Sequence, residues 1–282
     1  MQPISWLYVP GDRPERFDKA AASGADIVII DLEDAVAPGN KATARENAVR
    51  WLATAAPDSV EIRVNALDTP WALADLRALA DAPALHAIRL PKVGSRADVA
   101  AALGLLSARS CGVSCLIETA AGVEAAYQIA SSARVVGIGL GEADLAGDLG
   151  VEGPDGLTWA RSRIVVAARA AGLPAPAMSV YPHVDDLAGL AERSREGRRL
   201  GMLGGAAIHP RQLAVIVAAF RPSAAEVEEA CAIIEAFTAA AAANRGVTVL
   251  ADGRMVDAAM IAQARRVLGR AAPDAVPIRP PS

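Results

Sequence analysis

The chain has 282 residues, 53% of them hydrophobic and 21% charged, a balance that supplies a deep core and excludes an intrinsically disordered protein. Its 28 Lys and Arg nearly match its 32 Asp and Glu, and a net charge of -4 leaves no whole-molecule field for gripping nucleic acid or an anionic membrane. No apolar run reaches the roughly 18 residues of a membrane-spanning helix and the start lacks a signal-like pattern, so a cytoplasmic protein is expected.

Taken in chain order, near-continuously hydrophobic runs read as strands buried on both faces: Ile4–Val9, Asp26–Leu32, Val60–Asn65, Ala87–Lys92, Gly112–Glu118, Val135–Leu140, Ala177–Tyr181 and Gly204–Ile208. Between them Arg13–Ser23, Lys41–Ala55, Ala72–Ala80, Ser95–Leu106, Ala121–Ser131, Thr158–Ala171 and Asp185–Leu200 read as helices. Such alternation predicts a parallel α/β sheet. A doubly wound sheet usually stops at about five or six strands, so the eight found here favour a closed (β/α)8 TIM barrel. The pattern breaks at Arg221-Pro222-Ser223, which makes 1–222 the expected catalytic domain and 223–282 a C-terminal helical extension. There Ser223, with Glu226 three residues on, caps a helix Ala224–Ala243; a turn-and-strand segment 244–253, a helix Asp257–Leu268 and a Pro-rich tail follow.

In such a barrel the strand-to-helix loops at the C-terminal strand ends open on one face, where chemistry gathers. The strand ends here carry Asp31, Glu33 and Asp34, then Arg63, Lys92, Glu118, and Glu142 with Asp144. A charge placed directly after an apolar run is costly unless paired or bound to a cation. Glu118 and Asp144, from neighbouring strands, together with the acids after strand two, offer an all-oxygen pocket of the kind that suits Mg²⁺. The competing reading is a set of salt bridges from these acids to Arg63, Arg89 and Lys92.

Other chemistries find less support. Gly137, Gly139 and Gly141 alternate strictly, without the offset of a dinucleotide fingerprint. His86, His183 and His209 are too scattered for zinc, and His209 stands between a structural role and a place in the pocket wall. There is no G-x-S-x-G nucleophile, and Cys111, Cys115 and Cys231 read as reduced packing residues.

Read as motifs, the strand ends are Leu7-Tyr-Val-Pro-Gly-Asp-Arg-Pro-Glu-Arg-Phe17, Asp31-Leu-Glu-Asp-Ala-Val36, Ile62-Arg-Val-Asn65, Leu90-Pro-Lys-Val93, Ile117-Glu-Thr-Ala120, Gly141-Glu-Ala-Asp-Leu145, Ile208-His-Pro-Arg-Gln212 and Asp252-Gly-Arg-Met-Val-Asp257. In content and order they resemble the citrate lyase β-subunit-like family of acyl-coenzyme A lyases, which includes malyl-CoA, β-methylmalyl-CoA and citramalyl-CoA lyases. The resemblance implies a Mg²⁺-dependent lyase that cleaves a 3-hydroxyacyl-CoA into an acyl-CoA and a 2-oxo acid, or runs the condensation in reverse. It implies Glu118 and Asp144 as direct metal ligands, Glu33 and Asp34 as holders of metal-bound water, and Arg63 as the cation that binds substrate and neutralises the charge developing on its oxygen. It further implies Asp257 as a proton donor supplied by a neighbouring subunit, hence a homo-oligomer, a trimer in much of the family; the same Asp257 also reads as a helix N-cap. Arg16, Lys19 and His209 are the expected coenzyme A contacts, with a solvated helix face the competing reading for Arg16 and Lys19.

Two departures from the family pattern bear on the substrate. Where the family reads Ile-Asp-Gly after strand seven, this chain has Ala177-Met178-Ser179, so a pocket carboxylate is missing and Met178 offers an apolar wall for a methyl-bearing acyl group. Glu142 adds an acid beside a metal ligand. The alternatives are a thioesterase on the same scaffold, a non-autonomous citrate lyase β-like subunit serving an acyl carrier, and a carboxylate-site aldolase for free sugar acids, which would want a histidine near strand two.

Overall fold

The computed structural model describes residues 2–54, 59–80, 82, 85–106, 111–242, 248–250 and 253–271. It opens with β1 (Ser5–Pro10), α1 (Phe17–Ala21), β2 (Ile27–Asp31), α2 (Lys41–Thr54), β3 (Val60–Arg63), α3 (Ala72–Leu79), β4 (Ala87–Leu90) and α4 (Arg96–Leu103). Then come β5 (Gly112–Ile117), α5 (Ala120–Glu124), α6 (Ala126–Ala130), β6 (Val135–Leu140), α7 (Glu142–Leu149), α8 (Thr158–Ala170), α9 (Leu187–Arg199), β7 (Gly205–Ala207) and α10 (Leu213–Phe220). The chain continues with α11 (Ala224–Ala242), β8 (Thr248–Val249), β9 (Met255–Val256) and α12 (Ala258–Leu268).

Seven strands form one parallel sheet in the order β6-β5-β4-β3-β2-β1-β7, curled into a half-barrel. Short β-branched runs such as Ile-Val-Ile-Ile in β2 are buried throughout, as a sheet covered on both faces requires. The register places Asp31, Arg63, Arg89 and Ser114 side by side across β2 to β5, so four polar residues share one level and one face of the sheet, with Glu61 two residues before Arg63 on β3 accepting from Arg89 Nε at 2.7 Å.

The expected strand Ala177–Tyr181 is not formed. Only Met178 makes a bridge, with Gly205 of β7, and among the described residues no ladder joins the segment to β6. The sequence accounts for this: Pro174, Pro176 and Pro182 bracket the segment and each lacks a backbone N–H. Other bounds also differ. The expected helix Arg13–Ser23 begins as a 3-10 turn at Pro14–Arg16, and Ala121–Ser131 is divided at Ala125.

Pro3–Phe220 forms one compact unit; Arg221–Ser282 with residues 1–2 forms another. In the second, Ser223 and Glu226 cap α11 reciprocally, and Ala230, Ile233, Val256, Ile261 and Ala264 make a small core of their own. Ala55, Ala243, residues 244–247, Ala251, Asp252 and the tail 272–282 lie outside the described residues, and with them parts of the expected helices, of the turn-and-strand segment and of the last motif. Among the described residues no helix is long and apolar enough to cross a membrane.

Candidate active site

The loop after β2 is built around two buried ionic groups. Asp31, 1% exposed, accepts the Glu33 N–H at 2.9 Å and the Ala35 N–H at 3.0 Å, which closes the turn. From α2 the buried Lys41 ammonium donates to the carbonyls of Leu32 at 2.8 Å and Glu33 at 2.7 Å and lies 5.3 Å from the Trp71 ring centroid. Burial pushes its pKa down, opposed by the Asp31 and Glu33 charges. One acid and one lysine thus hold both faces of the segment that carries Glu33 and Asp34.

Arg63, at the end of β3, is gripped by the same aspartate. Its Nε and Nη2 donate to the two Asp31 oxygens at 2.7 and 2.6 Å, a bidentate pair, while Nη1 donates to Asp34 at 3.0 Å. Its guanidinium carbon lies 5.1 Å from the Tyr8 ring centroid. Burial works against the charge, but Asp31 outweighs it and keeps Arg63 firmly protonated. The edge carrying Nη1 is therefore the part of the fork left toward the acids of the mouth.

Glu118 follows β5 and is 3% exposed, and its Oε2 has no hydrogen-bond partner among the described residues. Burial, reinforced by the neighbouring Asp144 charge, lifts its pKa to about 7. Glu33 is lifted further, to about 8, chiefly by burial, with Asp34 and Glu118 adding repulsion. Its Oε2 lies 3.0 Å from Arg63 Nη1 but out of line, so it too is without a hydrogen bond. Asp144, in the first turn of α7, is half-exposed and is approached by Lys92 Nζ at 3.7 Å; the same ammonium lies 4.0 Å from Glu33. Lys92 reaches them from a left-handed backbone conformation, φ 53°, that a non-glycine residue adopts only at a cost. Burial lowers the Lys92 pKa, but Asp144 and Glu33 outweigh it and hold the group above its usual value.

Both sequence readings are therefore realised in part: Arg63 and Lys92 do pair with the acids, Arg89 pairs instead with Glu61 of β3, Glu33 Oε2 has an ion pair but no hydrogen bond, and Glu118 Oε2 has no hydrogen-bond partner among the described residues. A buried hard oxygen short of a partner beside a half-exposed aspartate fits a hard divalent cation. Among the described residues no group of three or more His, Cys, Asp or Glu is gathered as a ready-made metal cluster. Mg²⁺ keeps several waters and is commonly held by one or two carboxylates, so Glu118 and Asp144 suffice for it.

These residues border a cavity of about 860 Å³, whose lining includes Asp31, Arg63, Glu118 and Asp144 as well as the Ala177–Tyr181 segment. One expectation for this lining is corrected and one is refined. Glu142 is not an extra acid for a metal: it is buried and shared between Arg161, at 3.2 and 2.6 Å, and Arg193, at 2.7 Å. Met178 is among the residues that line the cavity, as expected of an apolar wall, although it is 3% exposed and packs on Gly197 of α9, where any Cβ would overlap its Sδ. Ser179 and Arg193 border the cavity beside it. The roles of Asp31, Arg161, Arg193 and Ser179 escaped sequence reasoning. The only signal lay in Asp31 ending an apolar strand.

Arg16 and Lys19 are exposed, and Arg16 lies 3.9 Å from Glu15. His209 Nδ1 accepts the Arg211 N–H at 3.2 Å and caps a short turn; the cavity lining contains its neighbour Ile208 and none of Arg16, Lys19 and His209. Asp257, in the second unit, N-caps α12 by accepting the Met260 N–H at 2.7 Å. The cysteines are free, and burial pushes the Cys115 thiol up to about 12, which makes it inert.

Residues 5–210 match the family described as HpcH/HpaI aldolase/citrate lyase. The chain belongs to this family. Among its relatives, an L-malyl-CoA/beta-methylmalyl-CoA lyase of Cereibacter sphaeroides is 36% identical over 298 residues, covering 94% of this chain and 93% of the relative. A (3S)-malyl-CoA thioesterase of the same species is 39% identical over 272 residues, covering 95% and 94%. Among solved structures, CitE of Mycobacterium tuberculosis in complex with magnesium, acetoacetate and coenzyme A superposes with a TM-score of 0.80 at 34% identity, over 95% of this chain and 98% of that one. The HpcH/HpaI match lies within the first unit, whereas the alignments with the two relatives, at 94% and 95% of the chain, extend into the second.

Proposed function

We propose that this chain is a magnesium-dependent carbon–carbon lyase that splits a 3-hydroxyacyl-CoA of the malyl-, methylmalyl-, citramalyl- or citryl-CoA kind into an acyl-CoA and a 2-oxo acid, or catalyses the reverse condensation. The observation that carries this reading is the Glu118 carboxylate, buried and missing a partner at Oε2, beside Asp144 and in one cavity with Arg63. Glu118 and Asp144 would hold the ion, with Glu33 and Asp34 orienting its waters. Bound there, Mg²⁺ would supply positive charge to the oxygens of the 2-oxo acid.

The work left to the chain is electrostatic and protonic. As the bond between C2 and C3 breaks, the C3 hydroxyl gives its proton to water in the cavity, its oxygen becomes the carbonyl oxygen of the 2-oxo acid, and the electron pair of the broken bond passes into a thioester enolate. Arg63, fixed in place by Asp31 and Tyr8, offers Nη1 to the oxygen that gains charge. Asp257 of a neighbouring subunit delivers a proton to the enolate carbon, which makes the homo-oligomer, a trimer, the working unit. Arg16, Lys19 and His209 bind the coenzyme A portion. In this reading 1–222 is the catalytic domain, a (β/α)8 barrel whose eighth position is taken by the Ala177–Tyr181 segment, 223–282 serves the neighbour's site, and the protein is cytoplasmic.

The test is incubation with Mg²⁺ and a panel of malyl-, methylmalyl-, citramalyl- and citryl-CoA, following 2-oxo acid and free coenzyme A separately. Release of a 2-oxo acid from at least one, abolished by chelation, is expected. A second reading, a thioesterase, is favoured by the 39% identity to the malyl-CoA thioesterase and would show as free coenzyme A without a 2-oxo acid. Turnover only on a carrier-bound acyl group would mark a non-autonomous citrate lyase β-like subunit.

A further inference from the structure

The cavity lining also holds two guanidinium groups, Arg161 and Arg193, and the buried Glu142 carboxylate. Arg161, fully buried on α8, spends Nε and Nη2 on Glu142 and Nη1 on Glu196. Arg193, on α9, reaches the same Glu142 oxygen through Nη2 at 2.7 Å. Glu196 pairs with Arg161, and with a third of its side chain exposed its charge is screened by solvent. Glu142 is therefore one buried acid divided between two cations, and Arg193 reaches it through Nη2 alone.

Arg193 is also short of acceptors. Its Nε is buried and has no hydrogen-bond partner among the described residues, and beyond Glu142 its Nη2 meets only Ser179 Oγ, at a long 3.4 Å. A buried donor without an acceptor costs about 1–3 kcal/mol, so natural proteins seldom keep one unless something supplies the acceptor. The side chain is held in place by Glu142 and is 20% exposed, and both Arg193 and Ser179 border the cavity. A planar fork, anchored at one end and beside an underused hydroxyl, suits a carboxylate.

We infer that Arg193 and Ser179 form a carboxylate subsite that selects substrates bearing a second carboxylate away from the reacting carbons. This rests on the cavity being the acyl-CoA and 2-oxo acid site proposed above. It adds to what the sequence alone offers at this wall, because Ser179 and Arg193 line the cavity beside the apolar Met178. The second carboxylate belongs either to the 2-oxo acid half or to the acyl half of the substrate, and matched pairs separate the two.

Equilibrium binding by calorimetry, with Mg²⁺ present, compares 2-oxoglutarate with 2-oxopentanoate, and succinyl-CoA with butyryl-CoA; each pair differs by a carboxylate in place of a methyl. The wild type is expected to prefer the carboxylate-bearing member of one pair by about tenfold or more, and which pair shows it assigns the source. Arg193→Met should erase that preference while leaving the methyl-bearing member within about twofold, and Arg193→Lys should restore part of it. Ser179→Ala, which leaves the Glu142 pair intact, should reduce the same preference and carries the test if Arg193→Met does not fold. Absence of preference in both pairs, or variants that weaken both members equally, would overturn the subsite. No turnover is needed, so a protein that cleaves no thioester but keeps the Arg193-dependent preference loses the lyase reading and not this one.

Discussion

Gly141 and Glu118 are in such close contact that a Cβ on Gly141 would lie 2.7 Å from Glu118 Cδ and overlap Cγ and Oε1. The turn after β6 thus forms the back wall for the carboxylate presented by β5. Gly141→Ala must displace Glu118 rather than the sheet, because the clash falls on a side-chain end. We expect a folded protein whose Mg²⁺ affinity drops by about tenfold or more, measured by calorimetry; unchanged affinity would remove Glu118 as a ligand.

Burial lifts Glu118 to about 7 and Glu33 to about 8, from an ordinary value of 4.5. A carboxyl whose pKa is higher folded than unfolded binds more protons when folded, so its contribution to stability is lost as pH rises from about 4.5 through those values. In chelator, the melting temperature should therefore fall between pH 5 and pH 8 as these groups ionise, with Mg²⁺ restoring it at the upper end. Glu118→Gln should stabilise the metal-free protein at pH 8 by on the order of 1–3 kcal/mol and abolish the response to Mg²⁺. Destabilisation by this substitution at pH 8 would contradict the assignment.

Lys41 donates to two backbone carbonyls from a buried position, so Lys41→Met fills the space but strands both acceptors. The expected loss is about 1–3 kcal/mol by urea unfolding, together with weaker Mg²⁺ binding as the loop bearing Glu33 and Asp34 loosens. Full stability in the variant would mean that water satisfies both carbonyls.

Asp257→Asn separates cap from catalyst. Asparagine caps helices about as well as aspartate, so α12 and the melting temperature should be preserved to within about 0.5 kcal/mol. Lyase turnover should fall by at least about a hundredfold, since the amide cannot donate the proton. Unchanged kcat would confine Asp257 to the cap seen at Met260.

Much of the scaffold was legible because strand and helix periodicities are local: six strands and the final short one lie where apolar runs place them. Ala177–Tyr181 misled because an apolar run cannot by itself distinguish a laddered strand from an extended segment, and the flanking prolines were the overlooked signal. The acids of the mouth stood out at the ends of apolar strands. Glu142 did not reveal its role, because its partners Arg161 and Arg193 lie 19 and 51 residues away and only folding brings them to it.

The left-handed backbone at Lys92 sets backbone strain against charge balance at a single residue. Glycine there would relieve strain of about 1 kcal/mol and yet remove the ammonium that faces Asp144 and Glu33. Selection for thermal resistance alone would drift toward that glycine and leave the two acids without their counter-charge. Position 92 is thus a place where melting curves alone would hide a change in the electrostatics of the mouth.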